Sequence, residues 1–226
     1  MATPAPDCIG LIMDGNRRWA RERGLSPLEG HKAGYDKLKE VTDWCKEYDI
    51  HHLVVYAFST ENWVRSKEEV EHLLDLIRLL LQEVRERADP SEAVHIIGDL
   101  SRFPHDIQQG IAELHSNHSP EATHHLWVAA SYGGRAELTA AMNTLAKKGP
   151  GPYSEEDVAQ VLWATGMPDP DLILRTGGNH RLSNFLPWQS VYSELYFSDT
   201  HWPALSKEEF RGILERFKTE QRNFGA

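Results

Sequence analysis

Cysteine is nearly absent from this chain: Cys8 and Cys45 are the only two in 226 residues, and neither stands at a metal-binding or Cys-x-x-Cys spacing. That excludes a disulfide-stapled module and sets the expectation of a reduced, cytoplasmic protein. A chain this long buries roughly 70–75% of its unfolded surface, so its core needs no covalent help. Long apolar runs are missing too. The greasiest stretch, 73–81, is interrupted by Asp75 and Arg78, far short of the ~20 residues of a membrane span, and no charged leader precedes an apolar core at the N-terminus. There is no basic excess. Lys plus Arg is 24 against 34 for Asp plus Glu, a formal charge of −10, which argues against a nucleic-acid partner. Walker loops, Rossmann glycine fingerprints and Gly-x-Ser-x-Gly elbows do not occur. The twelve histidines are scattered or adjacent, without the i, i+4 spacing of a helical zinc site.

What is present is an ordinary globular balance, 40% hydrophobic and 26% charged, with alternating strand and helix patterns. Residues 1–7 are Pro-rich and read as a loose segment ahead of one domain, 8–226. Apolar or β-branched runs at 8–13, 52–58, 94–97, 126–130 and 172–174 read as buried strands. Three- and four-residue apolar steps predict helices over 30–48, 67–87, 106–114, 135–146 and 155–163, the last with Ser154 and Asp157 as a cap. A final helix starts at Ser206, with Glu209 completing a capping box. The stripe on the 67–87 helix is unusually broad, from Val70 to Val84. It fits a buried core helix, a subunit contact or the wall of an apolar cavity. Strands alternating with helices predict an α/β domain with a largely parallel central sheet.

Ligands of such sheets gather at strand carboxyl ends, and three donor-rich loops follow predicted strands. Asp14-Gly15-Asn16-Arg17-Arg18-Trp19 offers a carboxylate, a glycine and two guanidinium groups suited to a bare or metal-bound phosphate; an ordinary turn is the alternative. Ser59-Thr60-Glu61-Asn62-Trp63-Val64-Arg65 supplies hydroxyls, an amide, an aromatic face and another Arg, or equally caps a helix. Residues 175–184 place two glycines among Arg175, His180, Arg181 and Ser183, an anion cradle. Glu194 follows as a further hard oxygen ligand or a solvated side chain. Gly133-Gly134-Arg135 reads as the packing of a helix start, with anion binding as the alternative.

The segments IGLIMDGNRRWA (9–20), EGHKAG (29–34), YAFSTENWVR (56–65), IIGDLSRF (96–103), SYGGR (131–135) and DPDLILRTGGNHRLSNFLPWQSVYSELYF (169–197) together resemble the cis-prenyltransferases of the undecaprenyl diphosphate synthase type. The resemblance runs in order over nearly the whole chain. It implies a magnesium-dependent homodimer that condenses isopentenyl diphosphate with an allylic prenyl diphosphate, forming a cis double bond. The paired DDxxD motifs of trans-elongating enzymes are absent. It further implies that Asp14 coordinates Mg2+, with Glu194 contributed by the partner subunit. Gly15, Asn16, Arg17, Arg18 and His31 would hold the allylic diphosphate; Arg175, Arg181 and Ser183 would hold the isopentenyl diphosphate. Ser59 and Asn62 would lie near the reacting carbons, with Asn62 assisting proton removal, and Thr60, Glu61 and Leu182 would be further substrate-binding residues. Trp19, Trp63 and Arg65 would line the cleft, and the 67–87 helix would wall a tunnel for the growing chain. Peripheral membrane contact for product release is implied as well.

Some positions depart from the family pattern. Asn179 stands where Glu is usual, Pro27 where many members carry an Arg that Arg23 would replace, and Ser131 where Asn is usual. Asn223 stands where a terminal Arg commonly reaches an isopentenyl diphosphate, so an Arg there should tighten that substrate. Trp127 would obstruct a tunnel. The alternatives within reach are a short-chain or irregular-coupling synthase, a non-catalytic partner subunit, and a phosphate-binding protein without carbon chemistry.

Overall fold

The segments with continuous β-branched and aliphatic character become strands buried on both faces, as a parallel sheet requires. In a computed structural model, which describes residues 5–87 and 89–220, the strands are β1 (Cys8–Ile12), β2 (His52–Ser59), β3 (Glu92–Ile97), β4 (His124–Tyr132), β5 (Leu172–Arg175) and β6 (Glu194–Phe197). The helices are α1 (Asn16–Glu22), α2 (Pro27–Glu47), α3 (Lys67–Arg87), α4 (His105–Ser116), α5 (Gly134–Lys148), α6 (Glu155–Ala159) and α7 (Lys207–Thr219). Among the described residues the six strands form one sheet in the order β3-β4-β2-β1-β5-β6, and every pairing is parallel. Asn223 lies outside the described residues.

Alternate strand residues serve two cores. One face, with Ile9, Leu11, Leu53, Val55, Val94 and Val128, packs under Leu38 and Val41 of α2, Leu73, Leu74 and Ile77 of α3, Ile107 of α4, and Phe210 and Phe217 of α7. The other, with Ile12, Val54, Trp127 and Ile173, packs against Tyr132, Met167, Phe185 and Leu186. Both cysteines are buried free thiols.

Four local expectations need correction. Residues 16–22 are a helix, not a simple turn: Gly15 takes φ 112° as its N-cap, and seven residues are too few to show helical periodicity. Residues 194–197 pair as a strand, although their edge position breaks the buried pattern. The helix expected over 155–163 stops at Ala159, and farther along the backbone N–H of Ala164 is taken by the carboxylate of buried Glu137 at 3.1 Å. Ser154 and Asp157 do form a capping box, but at α7 only half of one exists. The Ser206 hydroxyl accepts from the Glu209 N–H at 3.1 Å, whereas the Glu209 carboxylate turns to the Ser198 hydroxyl.

The fold also gathers histidines that looked scattered. His95 stacks on Trp127 at 3.8 Å between centroids and lies against His118 and His125, while His52 stacks on His125. β3 is an edge strand, and α4 with the segment after it covers it: the Ile96 N–H donates to His115 Nε2 (3.1 Å) and His118 Nε2 donates to the Val94 carbonyl (2.7 Å). Burial, with help from the neighbouring imidazoles, pushes His95 down to about 3, and burial foremost lowers His52, His115 and His125. A depressed folded pKa gives stability that is complete above the unfolded value, 6.5 for His95, and is lost as pH falls below it. His95 alone is expected to cost up to about 2 kcal/mol on going to pH 5. Urea unfolding at pH 7 and pH 5 checks this: the stability gap should shrink in His95→Phe, and an unchanged gap would remove His95 from the account.

Candidate active site

β1 and β5 lie side by side, but the chain leaves them in opposite directions, toward β2 and toward β6. That reversal opens a crevice outside their carboxyl ends. Ile12 is in register with Arg175, the last residue of β5, and Asp14 follows two residues later. The Asp14 main chain is pinned: its carbonyl accepts from the Thr176 hydroxyl (2.8 Å) and the Trp202 N–H (3.0 Å).

The Asp14 carboxylate is the hub. Oδ1 accepts from Arg18 Nη2 at 3.1 Å; Oδ2 accepts from Arg175 Nη2 at 2.9 Å and from Asn179 Nδ2 at 2.8 Å. Burial alone would raise its pKa, but the hydrogen bonds from Arg175 and Asn179 and the charges of Arg175 and Arg18 outweigh it and hold the carboxyl below its ordinary range. Arg175, with a side chain only 5% exposed, forks to a second set of acceptors, the Ser183 Oγ (2.7 Å) and the Arg181 carbonyl. Arg181 donates through Nε to Ser183 Oγ (3.2 Å) and through Nη1 to Asn179 Oδ1 (3.2 Å). Gly177 sits at φ +83°, and a Cβ there would come within 2.7 Å of Arg18 Nη2 and 2.9 Å of the Asp14 carbonyl, so only glycine lets the β5 loop close over Asp14.

Beside the hub lies an open cleft of about 770 Å³, lined by Asp14, Gly15, Asn16, Arg17, Arg18, Arg21, Pro27, His31 and Arg65 among others. Four guanidinium groups against one carboxylate make it a local anion trap within an acidic chain. Arg21 was missed by sequence reasoning. Arg23, expected to stand in at Pro27, instead lies over Trp19 at 4.5 Å, and neither residue lines the cleft. Glu69 was missed as well. Its Oε1 ties together Arg65 (3.0 Å), His31 (3.1 Å) and Arg17 (3.8 Å), joining the loops after β1 and β2. Burial keeps His31 below its usual pKa despite Glu69, so it is neutral at pH 7 and serves as a hydrogen-bonding group. An acid residue in the first turn of α3 gives no sequence signal for this role.

The loop after β2 is anchored from both sides. Asn62 Oδ1 accepts the Ser59 N–H at 3.0 Å, closing a capping box at the start of the loop. Trp63 packs on Phe58 and Phe103 and donates to Ser131 Oγ at 3.0 Å, so Ser131 acts as its anchor. Thr60 Oγ1 donates to Glu61 Oε2 (3.1 Å), and Asn184 Nδ2 donates to Glu61 Oε1 (3.2 Å), linking this loop to the one after β5. All three donor-rich loops are therefore tied to one another. Ser183 and Asn184 hold φ values of 51° and 68°, backbone strain of the kind stored at working sites. Leu182 packs toward the second core. Gly134 is a packing residue, its missing Cβ occupied by Pro187.

Glu194 does not join this group within one chain. It pairs with Leu172 at the amino end of β5, three residues from Arg175, roughly 10 Å along the strand. Among the described residues no three His, Cys, Asp or Glu side chains converge on a metal position. One half-buried carboxylate facing an open cleft still suits magnesium, which takes one or two protein carboxylates and completes its shell with water and phosphate oxygens.

The broad stripe of α3 has a specific outlet. Leu80, Leu81 and Val84 line a cavity of about 400 Å³ with Leu38 of α2, Leu114 of α4, and Leu53, Val94 and Leu126 near the amino ends of their strands. Trp127 faces the opposite side of the sheet, so it does not obstruct this space. Charged cleft and apolar cavity thus occupy opposite ends of the same sheet, roughly 25 Å apart along β2.

Fold and site define a class, an α/β protein with an arginine-lined anion cleft at the switch point and an apolar cavity at the other end of the sheet. Residues 12–225 match the family model described as "Putative undecaprenyl diphosphate synthase". The isoprenyl transferase of Aquifex aeolicus is 39% identical over all of this chain and 98% of that protein. The tritrans,polycis-undecaprenyl-diphosphate synthase (geranylgeranyl-diphosphate specific) of Thermoplasma acidophilum is 43% identical over 98% of this chain and 90% of that protein. The crystal structure of lavandulyl diphosphate synthase from Lavandula x intermedia, in complex with dimethylallyl diphosphate, superposes with a TM-score of 0.92 at 30% identity, covering 98% of this chain and 99% of that one. The chain belongs to the undecaprenyl diphosphate synthase family of cis-prenyltransferases.

Proposed function

We propose that this protein condenses isopentenyl diphosphate with an allylic prenyl diphosphate, releasing diphosphate and forming a cis double bond. The observation that carries the reading is the Asp14 hub, shared by Arg18 of the β1 loop and by Arg175 and Asn179 of the β5 loop. Arg17, Arg18, Arg21 and Arg65 would hold the allylic diphosphate over the β1 cleft, while Arg175, Arg181 and Ser183 position the homoallylic one. The C1–O bond of the allylic substrate breaks, the terminal alkene carbon (C4) of isopentenyl diphosphate bonds to C1, and a proton leaves C2 of that same unit, so that the new double bond lies between its C2 and C3. Guanidinium charge on the departing diphosphate and alignment of the two reactants supply most of the acceleration. Magnesium, held by Asp14, would neutralise diphosphate charge when bound. The prenyl tail would run beneath α2 and α3 toward the cavity, each five-carbon unit gaining roughly 4 kcal/mol on leaving water.

Assembly as a homodimer is part of this reading. Val191, Tyr192 and Leu195 are exposed on and beside edge strand β6, and a second copy covering that edge would bring Glu194 to a shared site. No helix among the described residues is long and apolar enough to cross a membrane. The reading places the enzyme in the cytoplasm, with its amphiphilic product released at a membrane surface.

Labelled isopentenyl diphosphate incubated with magnesium and primers from dimethylallyl to geranylgeranyl diphosphate tests the reaction. Label in an extractable prenyl product is expected; none with any primer would refute it. A second reading, a short-chain or irregular-coupling synthase, is favoured by the close superposition on lavandulyl diphosphate synthase. Product length and branching separate the two. A non-catalytic partner subunit is disfavoured because Asp14, Arg18, Arg175 and Arg181 all converge.

A further inference from the structure

Asn179 stands between the Asp14 carboxylate and the Arg181 guanidinium and touches both. Its amide hydrogen goes to Asp14 Oδ2 at 2.8 Å, and its amide oxygen accepts from Arg181 Nη1 at 3.2 Å. Those contacts complete a closed circuit, in which Arg181 Nε reaches Ser183 Oγ, Arg175 Nη1 reaches the same oxygen, and Arg175 Nη2 returns to Asp14. Asn179 is half-buried, and both ends of its side chain are engaged. A carboxylate at this position could accept from Arg181 but could not donate to Asp14. Only a neutral group with a donor on one side and an acceptor on the other bridges an anion to a cation without changing the net charge.

We propose that Asn179 is a positioning residue that couples the two diphosphate subsites, holding Arg181 on the isopentenyl diphosphate side at a set distance from the Asp14 carboxylate on the allylic side. The inference rests on the transferase reading above. Arg181 is otherwise exposed, and its other side-chain bond is one of equal length, 3.2 Å, to Ser183 Oγ. Without Asn179 it is free to swing into solvent, and the cost of re-ordering it falls on substrate binding. Asn179 thus acts on isopentenyl diphosphate through Arg181, not by touching it.

The test is a double-mutant cycle with N179A, R181A and the pair. N179A should raise KM for isopentenyl diphosphate about tenfold and leave KM for the allylic primer nearly unchanged, the size expected for losing a hydrogen bond to a charged group. In the R181A background the same substitution should leave KM for isopentenyl diphosphate unchanged. N179Q, which keeps both donor and acceptor, should recover part of the loss and serves if N179A fails to fold. Titration of inorganic pyrophosphate, followed by tryptophan fluorescence, provides the same cycle without catalysis. Equal effects of N179A in both backgrounds, or none in the wild-type background, would overturn the coupling role. If the wild-type protein incorporates no label, the transferase reading fails, and the pyrophosphate cycle still decides the role of Asn179.

Discussion

Asp14→Ala should lower kcat by about a thousandfold or more while leaving a folded protein. The size follows from removing the carboxylate that organises three donors where leaving-group charge develops, the kind of electrostatic loss that costs about 10²–10³ per donor at such sites. The fold should survive because Asp14 is held by its main chain as well as its side chain: Thr176 and Trp202 bond its carbonyl, and alanine keeps both contacts. Steady-state turnover with magnesium, beside a thermal melt, checks the two halves together. Turnover close to wild type would show that Asp14 carries neither metal nor leaving-group organisation.

Arg175→Ala should lower stability and activity together. Its guanidinium is almost wholly buried and joins Asp14 to the Arg181 carbonyl and the Ser183 hydroxyl. Truncation removes the donor that all three share, and breaking a buried pair costs about 3–5 kcal/mol. Asp14 remains 28% exposed, which softens the loss to about 2–3 kcal/mol, or roughly 5–10 °C in Tm for a domain of this size. Activity should drop at least as far as in Asp14→Ala. Arg175→Lys restores the charge but has no planar fork to serve acceptors in two directions, so it should recover Tm more than kcat. If Arg175→Lys matched wild-type turnover, the two-way geometry of the guanidinium would be irrelevant to the reaction.

Much of the molecule was legible before its structure. The interior strands and the long helices α2 and α3 announced themselves through continuous β-branched runs and three- and four-residue apolar steps. The three loops were legible because parallel sheets put ligands at strand carboxyl ends, and the motifs within them carried the family. Elements too short for a period to register were not: α1 has seven residues, and β6 is a four-residue edge strand with one fully buried side chain. The helix after Ser154 was over-extended: it ends at Ala159, and the apolar spacing of the residues beyond does not distinguish a helix from the turns that follow. Trp127 was expected to obstruct a tunnel but lies in the core on the other face of the sheet, since strand alternation tells which residues share a side but not what that side meets.

The same division holds at the site. The order of residues along the chain determined the kinds of groups available: a carboxylate and arginines after β1, hydroxyls and an amide after β2, a glycine-flexed cradle after β5, and an apolar helix able to border a cavity. Which of them meet was decided only in three dimensions. The crossover that sends β1 and β5 in opposite directions brings Asp14 within hydrogen-bond reach of Arg175 and Asn179, more than 160 positions away in sequence, recruits Glu69 and Arg21, and leaves Trp19 outside the cleft. Hydrogen bonds and ion pairs act over a few ångströms, while sequence patterns report periodic burial and local turns. Contacts between distant loops therefore have no local signature, and the packed sheet alone sets them.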